Sequence, residues 1–294
     1  MKTNNLLRTL MFAIMALIFV GITSCNDDDP VKPTNETEDK GHEDWAKVTF
    51  TFRLGHLHGS NFHGNPINEN AKYFRNLQEV TFEYDSKGNL QTPTDPVRLI
   101  KDEYYALEIT YYNKKGERMN STFTTPEMAP IHQHFFLTKD AKDLNSDKPF
   151  ENAGNIITGY TYRDTDPENK MYTRHDETVK LRGKKDPIGL KGYFKVSEKY
   201  AKFNLNVILV HIGKGTKLDK NGNPYPYNEP NLIFLSSQDL NVKIPIRVYA
   251  ERPEDYSDKF FEDAANEFNI TVEEAIADYK LLYDADFESG KYWM

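Results

Sequence analysis

Lys47-Val48-Thr49-Phe50-Thr51-Phe52-Arg53-Leu54-Gly55-His56-Leu57-His58 is the stretch that decides the fold. Val48, Phe50, Phe52 and Leu54 alternate with Thr49, Thr51 and Arg53, the period of two that a half-buried strand requires. If the strand runs on through Gly55, His56 and His58 continue the even-numbered register and sit at the end of the buried face.

Similar runs recur along the chain. Strands are expected near Glu79 to Tyr84, Tyr104 to Tyr112, Ile131 to Thr138, Ile157 to Tyr162, Leu190 to Val196, Phe203 to Ile212, Leu232 to Leu235 and Val242 to Tyr249. Turn chemistry separates many of them, as in Ser86-Lys87-Gly88-Asn89 and Asn221-Gly222-Asn223-Pro224. Short strands with no amphipathic helix between them predict a mainly β fold, an antiparallel β-sandwich or two such sandwiches in tandem. The expected regions are residues 45–148, which carry two His-x-His pairs, and 149–250, a second β region. Only the tail, 251–294, changes period: Phe260, Phe261, Ala264, Ala265 and Phe268 fall at helical spacing. Thr271-Val272-Glu273-Glu274 then forms a capping box before Ala275, Ile276 and Tyr279, so a short C-terminal helical segment is expected.

At the other end, Lys2 and Arg8 precede an apolar stretch from Leu10 to Val20, too short to span a bilayer, followed by Gly21-Ile22-Thr23-Ser24-Cys25. Cys25 is the only cysteine of 294 residues, and Asn26, Asp27, Asp28 and Asp29 follow it. No disulfide framework is available, so folding must rest on burial. Ile22-Thr23-Ser24-Cys25 resembles the lipobox of bacterial lipoproteins, and the acidic triplet resembles the surface-export signal of Bacteroidetes outer-membrane lipoproteins. The resemblance covers about 30 residues and is silent on the fold. It implies a signal peptide over 1–24, lipidation of Cys25 and a surface-exposed address on the outer membrane. Residues 25–44 hold almost no apolar side chain and are expected to form a disordered acidic tether.

A formal charge of −8 argues against a nucleic-acid partner, which needs a basic face. The histidines are more telling. Of eight in the chain, four form the pairs His56/His58 and His132/His134, where chance placement gives about 0.2 such pairs. Residues i and i+2 of a strand share a face, so each pair presents two imidazoles that can ligate one ion. His63, in a loop with Gly59 and Gly64, can fold back over the first pair. His56, His58, His63, His132 and His134 are therefore the candidate ligands of one site, should the two segments meet. Imidazole donors favour zinc or copper, and haem fits less well because it would use only two of them.

The expected function is capture of a transition metal or metal complex at the cell surface, with a TonB-dependent transporter as partner. A carbohydrate- or protein-binding lipoprotein with incidental histidines is the alternative, and a zinc hydrolase, with Glu127 as base, a further one. No Gly-x-Ser-x-Gly or His-Glu-x-x-His motif is present. His211, alone at the end of an apolar strand, reads as structural, His175 as solvated, and Asp164, Asp166 and Glu168 as an acidic loop.

Overall fold

A computed structural model describes residues 45–294 apart from Lys214 and Asp284. The expected leader, Cys25 and the acidic tether lie outside the described residues. The body is mainly β, with a helical segment near its C-terminal end.

Strand β1 (Lys47–His58) runs unbroken through Gly55. It pairs antiparallel with β3 (Leu77–Tyr84) on one side and β6 (Tyr104–Tyr112) on the other. In this register Phe50 lies between Val80 and Ile109, and Phe52 lies between Gln78 and Leu107. The sheet extends outward through β4 (Leu90–Gln91) on the β3 side, and through β11 (Lys191–Val196) and β8 (Ile157–Tyr162) on the β6 side. A second sheet has the order β5 (Val97–Lys101), β13 (Gln238–Glu251), β12 (Ala201–His211), β7 (His132–Asp143). Its only parallel pairing joins β5 to β13. A two-stranded ribbon of β9 (Thr165–Asp166) and β10 (Lys180–Leu181) stands apart from both sheets.

One core lies between the two sheets. Val48, Phe50 and Phe52 of β1 and Leu107 and Ile109 of β6 join Leu205, Val207 and Leu209 of β12 and Val242, Ile244 and Ile246 of β13 in a single buried cluster. Each fully buried Phe there contributes about 2–3 kcal/mol of transfer free energy. The threonines of β1 take the other face, where Thr49 Oγ1 meets Thr81 Oγ1 at 3.1 Å. Alternation along one strand thus fixes which side of the sheet becomes the core.

The two expected β regions are interleaved. β8 and β11, from beyond residue 148, complete the sheet founded by β1, while β5 and β7, from before it, complete the sheet of β12 and β13. The result is one sandwich and not a tandem pair. The expected strand at Leu232 to Leu235 is instead a 3-10 turn over Leu232–Ser236, capped by Asn231, whose side chain accepts from the Ile233 amide. Four apolar residues in a row do not by themselves specify a strand, and here Leu232 and Ile233 are largely exposed.

Helix α1 (Lys259–Phe268) begins at Asp258, whose carboxylate accepts from the Phe260 amide. Helix α2 (Val272–Tyr283) follows. Its capping box is reciprocal: Glu274 N–H donates to Thr271 Oγ1 at 3.1 Å, and Thr271 N–H donates to Glu274 Oε2 at 2.9 Å. Phe260, Phe261 and Ala264 pack on Ile100 of β5 and Tyr249 of β13. Asp278, buried on α2, accepts from the backbone amides of Lys72, Tyr73 and Phe74 at 2.7–2.9 Å. The helices are thereby tied to the connection that leads from the β1 end to β3.

Candidate metal centres

The first centre is built on a hairpin. After His58 a two-residue turn at Gly59–Ser60 reverses the chain into β2 (Asn61–Gly64), whose register sets His63 opposite His56. Gly55 is required where the strands cross: a Cβ there would lie 2.2 Å from the His63 carbonyl oxygen and 2.4 Å from Cζ of buried Phe62. With that close approach, the three imidazoles gather. Ring centroids are 4.9 Å apart for His56 and His58, 5.0 Å for His56 and His63, and 5.3 Å for His58 and His63.

One nitrogen from each ring lies within 4.8 Å of those of the other two. Nε2 of His56 and Nε2 of His58 are 3.0 Å apart. Two nitrogens bound at about 2.0 Å to a tetrahedral ion stand about 3.3 Å apart, so this pair is already close to chelating distance. Asn65 Oδ1 lies 3.0 Å from His56 Nδ1 and can accept its proton, which leaves the His56 lone pair on Nε2.

His63 is more constrained. Its Nε2 donates to the Gly290 carbonyl, which can only accept, so the lone pair of the neutral ring belongs to Nδ1. That Nδ1 is buried and has no hydrogen-bond partner among the described residues. A buried lone pair with nothing to accept from is costly in an apolar site and natural in a metal ligand. The donor set and its orphaned nitrogen therefore fit a borderline transition metal.

The tail completes the surroundings. The backbone of Tyr292–Met294 lies along the free edge of β2: Phe62 and Met294 exchange both amide bonds at 3.0 Å, and Gly64 N–H donates to the Tyr292 carbonyl at 2.9 Å. Trp293 stacks on His63 with centroids 4.1 Å apart and planes 13° from parallel. Gly290 reaches the hairpin because it has no side chain; a Cβ there would lie 2.1 Å from the Gly64 carbonyl oxygen. The carboxylate of Glu288, largely exposed, stands 4.0 Å from Nε2 of both His56 and His58.

The second His-x-His pair has another fate. His134 is wholly buried, its Nδ1–H donates to the Ile188 carbonyl at 2.8 Å, and its Nε2 accepts from the Tyr111 hydroxyl at 2.7 Å. Burial pushes its pKa down to about 3, so it stays neutral. Neither nitrogen is left for a metal. Ile188 is itself fixed by Asp164, whose buried carboxylate accepts from the amides of Ile188, Gly189, Leu190 and Lys191 at 2.8–3.2 Å.

His132, two residues earlier, turns to different neighbours. Its Nε2 is 3.0 Å from Asp239 Oδ2 and its Nδ1 is 2.8 Å from the Met128 carbonyl. Across the sheet from it stands His211, with Nδ1 3.6 Å from the same carboxylate oxygen. Burial alone would raise the Asp239 pKa, but hydrogen bonds from His132 and His211 outweigh that and hold it well below the ordinary carboxylate range. His132, His211 and Asp239 form the second group able to hold a metal ion. An ion there would have to displace hydrogen bonds that already engage both nitrogens of His132.

The five expected ligands thus divide. His56, His58 and His63 come together; His132 joins His211 and Asp239; His134 is committed to the core. Glu127 is exposed and belongs to neither group. Asn65, Asp239, Glu288, Gly290 and Trp293 are not among the residues expected from the sequence, and His211, expected to be structural, stands in the second group. Asp164, expected in an acidic loop, is instead buried and organises backbone amides, and Glu168 pairs with Arg118 at 2.5 Å. Comparison with family models, with curated proteins and with solved structures finds no match.

Proposed function

We propose that this chain is a lipid-anchored outer-membrane protein, displayed at the cell surface, that captures zinc or copper through His56, His58 and His63. The observation that carries the metal reading is the convergence of three imidazoles in one hairpin, with the His63 lone pair on a buried nitrogen that nothing among the described residues satisfies. Nitrogen donors with an approachable carboxylate, Glu288, suit a four-coordinate borderline ion. The address is supported by the lipobox-like run ending in Cys25 and the acidic residues after it. A TonB-dependent transporter is the partner this address and cargo suggest.

The test is elemental analysis of the purified protein together with calorimetric titration of zinc and Cu(II) into the metal-free form. One ion per chain is expected, with His58→Ala weakening it at least a hundredfold while leaving the melting temperature of the metal-free protein unchanged. Absence of binding, or binding indifferent to His58→Ala, would overturn the assignment. For the address, Cys25→Ala should release the protein from the membrane fraction.

A further inference from the structure

A cavity of about 540 Å³ adjoins the hairpin site and shares His56 with it. It lies between the end of β1, the connection leading to β3, and helices α1 and α2. Its size is that of a small-molecule site.

Seven phenylalanine and tyrosine side chains line it, with Tyr73, Tyr105, Tyr249, Phe268 and Phe287 among them. Its charges are lopsided. Arg75, Arg98 and Arg252 line it against a single carboxylate, Glu103. Arg252 stands 3.5 Å from Glu103, and Arg98 is paired with Glu267, which it shares with Arg247. Exposed Arg75 donates through Nε to a backbone carbonyl, that of Lys72, and not to a carboxylate. A cationic lining in a chain whose formal charge is −8 singles out an anion.

A second observation points the same way. Asn76, a lining residue that is 4% exposed, donates through Nδ2 to the Pro66 carbonyl at 2.7 Å, which fixes its amide, while its buried Oδ1 has no partner among the described residues. An unsatisfied buried acceptor in a cavity wall asks for a donor from whatever fills the cavity.

We propose that this cavity binds a small hydroxylated aromatic carboxylate. Its ring lies among the tyrosine and phenylalanine side chains, its carboxylate is met by Arg75 and Arg252, and its hydroxyl donates to Asn76 Oδ1. Through His56 the ligand would be the neighbour of any metal in the hairpin, so the proposal names the kind of molecule that accompanies the captured ion. The ring and charge contacts themselves do not depend on the metal.

The probe is 6-hydroxy-2-naphthoate, titrated into the full chain by fluorescence and compared with its neutral counterpart 6-hydroxymethyl-2-naphthol. The acid is expected to saturate one site and to bind at least tenfold more tightly than the alcohol. In the double variant Arg75→Met with Arg252→Met, both changes lying at exposed side chains, that preference should fall to within twofold. His58→Ala should leave naphthoate binding intact even where it abolishes metal binding, which separates failure of this proposal from failure of the metal assignment. Equal affinity for acid and alcohol in the unaltered protein, no saturable binding, or a preference that survives the double variant would each overturn it.

Discussion

His56-Leu57-His58 and His132-Gln133-His134 are the same motif on the same kind of element, and the protein uses them oppositely. The first pair ends a strand at the rim, with side chains 36% and 33% exposed, and its nitrogens face one another and His63. The second begins a strand in the interior, is 0% exposed, and has every nitrogen engaged by a carbonyl, a carboxylate or a hydroxyl. Spacing decides that two imidazoles share a face. What that face meets decides whether their lone pairs remain available. Candidate ligands are thus distinguished from structural histidines by their hydrogen-bond partners, and burial alone does not do it, since His63 is as buried as His134.

The contrast can be broken most sharply with acid. Imidazole ligates only when neutral, so zinc affinity at the hairpin should fall a hundredfold or more between pH 7.5 and 5.5. His134 acts on stability instead. Its folded pKa, about 3, is below the ordinary value near 6.5, so the unfolded chain takes up its proton first. Its contribution is therefore whole above pH 6.5 and is lost as pH falls toward 3, by up to about 1.4 kcal/mol per unit and roughly 5 kcal/mol in all. Urea melts of the metal-free protein across that range should show this slope, and His134→Gln should remove it while His58→Gln does not. A zinc affinity independent of pH would show that the hairpin histidines are not the ligands.

A smaller effect separates the pairs at constant pH. His134→Ala leaves the buried Tyr111 hydroxyl without its acceptor and the Ile188 carbonyl with only the backbone amide of residue 134, and should cost about 3 kcal/mol in denaturant unfolding with zinc affinity unchanged. If that variant instead lost zinc and kept its stability, the roles assigned to the two pairs would be reversed.

The smallest expected effect concerns the stacking of Trp293 on His63. Trp293→Ala frees the ring to rotate without removing a ligand, and should weaken zinc binding about threefold to tenfold, measured by competition with a chromophoric chelator. A loss as large as that of His58→Ala would mean that the tail supplies a ligand itself.

How much of this was legible beforehand follows from sequence separation. The strand β1, the ends of β6 and β8, and the capping box of α2 are written in residues that lie side by side in the chain, and each was read from them. Val97 to Lys101 was missed because five residues among prolines give too short a pattern, and because its partner, β13, lies about 150 residues away. The false strand at Leu232 had apolar residues without alternation. In the site, His56, His58 and His63 were legible because one hairpin holds all three. Gly290, 227 residues from His63, and Asp239, 107 residues from His132, have no local signal, and only the closed sandwich brings them in. Two interleaved β halves look like two domains in sequence for the same reason: pairing between distant strands leaves no periodic trace.

The short span of the three histidines has a consequence for the order of assembly. Eight residues, His56 to His63, carry the whole imidazole set, so a metal can be gripped by this segment while the rest of the chain is still unfolded. Metal affinity is then shared between native and unfolded states, and only the increment supplied by Gly290, Glu288 and Trp293 stabilises the fold through binding. Those three residues arrive last, after a loop of more than two hundred residues has closed. An ion held by the hairpin before the sandwich closes would pin its register first, and Glu288, Gly290 and Trp293 would come to lie over it afterwards.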